Sequence, residues 1–358
     1  MELDLGNVVF LLAGLLLASA VISLFASRIG LPYTVVLVVF GFGLRLIFNE
    51  WEGFELLQSE IATEVVLFVF LPTLLFESSF NLDSKLLFRN IVPVLTLAIP
   101  AFLLSTAIVG YLGSWALGIP LVTALLFGAL ISATDPVAVV ALFKELGAPK
   151  RLMVLVEGES LFNDATAIVL FNVLLGIAVG GATATLSLTA AVMNFLVVFI
   201  GGIIVGALIA FTFAQILSMV RDNELVEITM TTIVAYMSFI VAEHYLHVSG
   251  VMATGTAGVI LGGWGRTKIS PSVCHFMHSF WEYLAFVANS LIFILVGLAL
   301  SPALIRDSLV ALLLVIPIVY FSRAFSIALA VPLVNLTGMI EPIDMRYRLV
   351  MFWGGLRG

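Results

Sequence analysis

The sequence predicts an all-α fold, a polytopic bundle of membrane helices with about twelve spans. Three observations carry this. First, 62% of the 358 residues are apolar, 10% are charged, and mean hydropathy is +1.22. Soluble domains run at about 45–50% apolar and about 25% charged, and this excess would leave aggregating patches in water. Second, apolar runs of about 20 residues, the length that crosses a bilayer, follow one another along the whole chain. Third, Lys and Arg alternate between the loops. The net charge of −7 leaves no basic footprint for nucleic acid. A single cysteine, Cys274, excludes an internal disulfide.

The spans lie near 7–27, 31–49, 61–80, 90–112, 119–143, 154–180, 187–220, 225–246, 249–264, 277–301 and 307–335, with a twelfth starting near 347. The acidic flank of the first, Glu2 and Asp4, is unlike a secretory signal, which begins with positive charge. The segment 187–220 is long enough to tilt, and 249–264 is short and rich in Gly and Thr. Of the fifteen Lys and Arg residues, eleven fall in loops after odd-numbered spans: Arg28, Lys85, Arg89, Lys144, Lys150, Arg151, Arg221, Arg266, Lys268, Arg346 and Arg348. Arg45 and Arg306 lie on the other side, and Arg323 and Arg357 fall inside apolar stretches. Positive loops stay cytoplasmic, so the N-terminus is expected outside, with Glu50, Glu52, Glu55 and Glu60 facing outward.

Charges at membrane depth cost at least about 2.5 kcal/mol each and normally face a bundle interior or an aqueous path. Glu64 and Glu77 fall in the third span, Asp135 in the fifth, Glu157, Glu159 and Asp164 in the sixth, and Arg323 in the eleventh. Glu227 and Glu243 lie near the ends of the eighth and Glu282 near the start of the tenth. In the sixth, Ser160 and Asp164 are four apart, as are Glu159 and Asn163, so two adjacent rows form one polar strip. Carboxylate, hydroxyl and amide oxygens on one strip suit a hard cation. In the fifth, Ser132-Ala133-Thr134-Asp135-Pro136 puts a proline at depth. Proline removes a donor and pushes its predecessor out of helical geometry. A broken helix in a membrane lines a cavity and aims half-helix ends at an ion. Asp135 would stand at the positive end of the second half-helix, where its anion is favoured. Arg323 needs an anionic partner, and Glu159 and Asp164 both qualify. Glu77 either reaches the site or snorkels to an interface. Glu243, His244 and His247 invite a metal reading, but polar residues at span ends are ordinary. Gly201, Gly202 and Gly206 fit close helix packing.

Four motifs then form a pattern: Phe-Leu-Pro-Thr-Leu-Leu-Phe-Glu at 70–77, Ser-Ala-Thr-Asp-Pro-Val-Ala-Val-Val at 132–140, Gly-Glu-Ser-Leu-Phe-Asn-Asp-Ala-Thr-Ala at 158–167 and Trp-Gly-Gly-Leu-Arg-Gly at 353–358. In this order they resemble the monovalent cation/proton antiporters, in the NhaP-like branch related to sodium/hydrogen exchangers. The resemblance implies an inverted-repeat antiporter fold with crossing broken helices, thirteen spans and a homodimer. It implies one transport domain over 1–358, with core spans near 90–180 and 307–358, dimer or scaffold spans near 7–80 and 225–301, and 187–220 linking them. Asp164 would bind the ion and the proton with Asn163 beside it, while Ser160, Thr134 and Glu77 would add ligands or polar support. The bound Na+ would sit at Asp164, Ser160 and Thr134. Asp135 and Arg357 would offset helix dipoles, and Glu159 would pair with Arg323. The sequence ends inside the last motif, so the rest of the twelfth span and a thirteenth are expected beyond Gly358.

The expected activity is exchange of protons for a monovalent cation, Na+ foremost, by alternating access at Asp164 in a cell membrane. No cofactor is expected, since ion gradients supply the energy. Asn163 does not titrate, Glu159 is expected to be held ionised by Arg323 and Asp135 by its helix end, so exchange is expected to be electroneutral, with Glu77 the group that would change the count. A channel would need a repeated filter, which is not visible. A membrane enzyme would need buried His, Cys or Ser/Lys sets, and the four histidines lie at span ends or in a loop. A symporter on the same fold is the nearest rival.

Overall fold

Residues 5–29, 31–47, 60–135, 139–140, 143, 147–180, 188–220, 223–336, 338 and 341–355 are described by the computed structural model. Among them every regular element is helical. The helices are α1 (Leu5–Ile29), α2 (Tyr33–Ile47) and α3, which runs as Glu60–Val65, a π-turn Val66–Phe70 and Leu71–Asn81. Next come a short α4 (Ser84–Arg89) and α5, built from Ile91–Thr96, a π-turn Leu97–Ala101 and Phe102–Leu117. They are followed by α6 (Leu121–Ser132), α7 (Lys150–Gly180), α8 (Leu188–Met219), and α9 (Glu224–Ile240 with a π-turn Val241–Tyr245). The last are α10 (Gly250–Gly262), α11 (Pro271–Ala299), α12 (Pro302–Leu336) and α13 (Met345–Gly354). Each apolar run of the sequence is matched by one of these helices, and the chain is a multi-pass membrane protein. Among the described residues eight helices are long and apolar enough to span, with α2, α6 and α10 shorter.

Local chemistry sets the ends. The side chains of Asn223, Ser249 and Asp344 accept from the amides of Val226, Met252 and Tyr347, capping α9, α10 and α13. Pro271 and Pro302 open α11 and α12, where the missing amide is no loss. Gly118 closes α5 in the left-handed region, with φ of 66°. The outer faces are apolar: Val310, Leu313, Phe321 and Leu333 of α12 all stand exposed. In a membrane that surface meets lipid rather than water.

The helices fall into two units. The first holds residues 1–77 and 276–309. In it Leu37 and Ile294 are fully buried between α2 and α11, and Leu15 of α1 packs with them. A Cβ on Gly41 would strike the Ile294 carbonyl, so the two helices touch at backbone distance. Tyr33 Oη and Ser290 Oγ, 2.6 Å apart, satisfy each other within that contact.

The second unit holds residues 78–275 and 310–358. Here α5 packs along α6, α7 packs on both, and α8 lies on α10. The α8–α10 contact depends on Gly206, whose Cβ would land on the Ala253 carbonyl. Three segments that the charge alternation puts on one membrane face meet in this unit. Glu341, before α13, bridges Arg89 at the end of α4 and Arg151 in the first turn of α7, at 3.3 and 3.5 Å.

Candidate ion-binding site

The site forms where α6 stops. Helical geometry ends at Ser132, Ala133 is extended with φ −63° and ψ 144°, and Thr134 and Asp135 are not helical. This break sits within the apolar stretch 119–143, as Pro136 requires of its predecessor. At the break α7 supplies the Thr134 carbonyl with a donor. Ser160 Oγ donates to that carbonyl at 2.6 Å, and Asn163 Nδ2 donates to Thr134 Oγ1 at 3.3 Å. Thr134, Ser160 and Asn163 are all buried.

These bonds leave oxygens over. Asn163 Oδ1 is buried and has no hydrogen-bond partner among the described residues. Buried polar atoms are almost always paired, so an unpaired amide oxygen beside a helix break marks a place for something that accepts lone pairs. Ser160 Oγ and Thr134 Oγ1 each keep a lone pair free after the bonds described. Asp164, the next residue, is half-buried and makes no hydrogen bond or ion pair among the described residues. Asp135 lies near enough for its charge to act on Asp164. Three neutral oxygens and one uncompensated carboxylate fit a hard monovalent cation, or a proton on the carboxylate. Among the described residues no group of three or more His, Cys, Asp or Glu stands ready for a transition metal.

The positive charge nearby is committed elsewhere. Arg323 of α12 donates through Nη1 to Glu159 Oε1 in a short contact and through Nη2 to Glu159 Oε2 at 3.2 Å. The same Nη2 reaches the Met351 carbonyl in the last turn of α13, also at 3.2 Å. Arg323 therefore joins α7, α12 and the end of α13, where the Gly354-Gly355 pair begins. A Cβ on Gly355 would come within 2.6 Å of Arg323 Nε, so only glycine fits against that guanidinium. Glu77 is half-buried and belongs to the first unit, whereas the other described site residues belong to the second. Arg357 lies outside the described residues.

Two contributors escaped the sequence reading. Ser105 of α5 and Ser322 of α12 lie 3.0 Å apart, and Ser132, the last helical residue of α6, donates to Ser105 at 3.3 Å. This buried hydroxyl chain fixes the end of α6 to the helix that carries Arg323. Ser322 was discoverable from its place beside a buried arginine. Ser105, in an unremarkable apolar run, carried no signal.

Residues 14–358 match the family model described as sodium/hydrogen exchanger, transmembrane. The chain belongs to the sodium/hydrogen exchanger family. Within that family it is 37% identical over 329 residues to the Na+/H+ antiporter ApNhaP of Aphanothece halophytica, covering 92% of this chain and 61% of the relative. It is 35% identical over 353 residues to sodium/hydrogen exchanger 7 of Arabidopsis thaliana, covering 91% of this chain and 30% of the relative. The chain thus spans less than two thirds of the length of these exchangers. The solved sodium proton antiporter MjNhaP1 of Methanocaldococcus jannaschii superposes with a TM-score of 0.82 over 99% of this chain and 84% of that one. At 22% identity that likeness concerns the fold, and it establishes the antiporter-type helical bundle.

Proposed function

We propose that the protein exchanges protons for a monovalent cation, most readily Na+, at Asp164. The observation that carries this reading is the convergence of Thr134, Ser160 and Asn163 Oδ1 beside a carboxylate, the last two without a hydrogen-bond partner or counterion among the described residues. Removing a carboxylate from water disfavours its charged form. A proton and a cation then compete for one site, and crossing is cheap only when one of them neutralises it. Alternating access would come from movement of a core set of helices near 90–180 and 307–358 against a dimer-forming scaffold near 7–80 and 225–301, with α8 between them. Glu77 would add a ligand as the carriers move, and Asp135 and Arg357 would offset the ends of the broken helices. No cofactor enters this scheme, because the ion gradients drive it.

The same residues favour one proton per cation. Asn163 has no proton to exchange, and both oxygens of Glu159 are taken up by Arg323. Transport would then be electroneutral, in a homodimer placed in the cell membrane with its N-terminus outside. The curated relatives are named as Na+/H+ antiporters or sodium/hydrogen exchangers, which supports the same class of activity here.

The test is collapse of an imposed pH gradient in proteoliposomes on adding Na+, Li+ or K+. The parent is expected to respond to one cation above the others, and Asp164→Asn to be folded and inactive. Substantial gradient-driven uptake by Asp164→Asn would refute the site. Varying membrane potential at fixed ion gradients tests the stoichiometry: an exchange equilibrium that moves with voltage would reject one-for-one exchange and implicate Glu77.

A further inference from the structure

The polar contacts around the break in α6 close on themselves. Thr134, just past the break, accepts from Ser160 of α7 through its carbonyl. Glu159, the residue before Ser160, is held by Arg323 of α12. Ser322, the residue before Arg323, lies 3.0 Å from Ser105 of α5. Ser105 in turn accepts from Ser132, the last helical residue of α6, at 3.3 Å. Two residues on is Thr134 again. The circuit runs from α6 through α7, α12 and α5 back to α6, all within the second unit, and every one of these side chains is buried.

The circuit encloses a stretch that no helix holds. Ala133 is extended, and neither Thr134 nor Asp135 is helical. Such a stretch takes its shape from whatever grips it on either side. Beyond the break the grip is at Thr134, through Ser160 and Asn163 of α7. Before the break it is at Ser132, by way of Ser105 and Ser322. The serines of α5 and α6 can meet because the two helices touch one turn earlier: a Cβ on Gly128 would come within 2.8 Å of the Thr106 carbonyl.

Two neighbouring hydroxyls stand outside the circuit. Thr106 of α5 and Ser326 of α12 are each 2% exposed. Neither Thr106 Oγ1 nor Ser326 Oγ has a hydrogen-bond partner among the described residues. Thr106 adjoins Ser105, and Ser326 lies one turn from Ser322. Burial of a hydroxyl on these helices does not by itself bring it a partner, so the Ser132–Ser105–Ser322 contacts belong to those positions.

We propose that Ser105 is a positioning residue for cation specificity: with Ser132 and Ser322 it fixes the shape of the α6 break, and thereby the fit of the Thr134 oxygens to one alkali cation over the others. Ser105 acts through these neighbours and does not touch the ion. This rests on the exchange reading and adds to it the origin of the cation preference. Alkali cations carry the same charge, so a site that ranks them does so by the number of its oxygens and the firmness of their spacing. With the break held from the α7 side alone, the Thr134 oxygens would close on a small ion and yield to a large one, and the ranking would flatten. Partners that orient an ion's ligands from outside commonly contribute about tenfold or more in affinity.

KM values for Na+, Li+ and K+, measured on the full-length protein in proteoliposomes, test the assignment. Ser105→Ala opens the circuit. It is expected to shrink the ratio between the highest and lowest KM about threefold or more, with Vmax for the preferred cation within about twofold of the parent. Ser105→Thr keeps the hydroxyl and should restore the ratio. Thr106→Val removes the adjacent hydroxyl that lies outside the circuit and should leave the ratio at its parental value. Ser322→Ala opens the same contact from α12 and decides the question if Ser105→Ala does not fold. An unchanged ratio in Ser105→Ala, an equal loss in Thr106→Val, or a parent that exchanges these cations alike would overturn the positioning role and leave the exchange reading standing. A parent that moves no cation would overturn both together.

Discussion

Replacing Arg323 by alanine is the perturbation whose size the structure lets us work out. Glu159 is 1% exposed and Arg323 8%. Arg323 donates twice to Glu159 and once to the Met351 carbonyl. In Arg323→Ala the Glu159 carboxylate stays buried with its counterion gone, and breaking a buried pair from one side costs about 3–5 kcal/mol. The Met351 carbonyl loses one of its two donors and keeps the Gly355 amide at 3.1 Å, which adds about 1 kcal/mol or less to the loss. Glu159→Met combined with Arg323→Met removes both charges and fills the space with adaptable apolar chains. What remains is some misfit, since the Met351 carbonyl still accepts from the Gly355 amide, so the double variant should fall within about 2 kcal/mol of the parent. The two sites are then strongly non-additive, by about 3 kcal/mol. Arg323→Lys, which keeps the charge but not the fork that holds both carboxylate oxygens, should melt in between. Thermal unfolding in detergent, followed by loss of the monodisperse size-exclusion peak, gives the ranking. An Arg323→Ala protein that melts with the parent, or a double variant whose loss equals the sum of the singles, would refute the reasoning.

Other outcomes follow from close contacts. Gly355→Ala puts a methyl within 2.6 Å of Arg323 Nε; it should cost about 1–3 kcal/mol by melting, and much less in the Arg323→Ala background. Gly206→Val drives a side chain into the Ala253 backbone, so α8 and α10 must separate and folded yield should drop sharply. Glu341→Ala removes two ion pairs whose glutamate side chain is 68% exposed, and the melting midpoint should move by less than about 1 kcal/mol equivalent. A large loss there would mean that the bridge between α4 and α7 matters more than its exposure implies.

Much of the fold was readable because membrane helices obey a simple rule. Every backbone polar group in hydrocarbon must be satisfied within its own segment, so a long apolar run such as 188–219 has one outcome. The break after Ser132 was readable for a related reason, since the restriction that Pro136 imposes on Asp135 is local and steric. The oxygen types on α7 were readable from their four-residue spacing. The Ser105–Ser322 contact was not, because it joins residues 217 apart whose neighbours are ordinary apolar side chains.

By itself the sequence determined the helices, their order, the interruption at Thr134-Asp135 and the kinds of atom at the site. The tertiary structure decided which carboxylate Arg323 neutralises. Glu159 and Asp164 both lie on the polar stretch of α7 and both suited an arginine. Five residues apart, they point about 140° away from each other around the helix. Which of them turns to α12 depends on how α7 is rotated about its own axis. That rotation is set by the packing of α7 on α5 and α6 and not by any residue of α7 alone. In the folded chain Glu159 meets Arg323, and Asp164 has no counterion among the described residues at the broken end of α6.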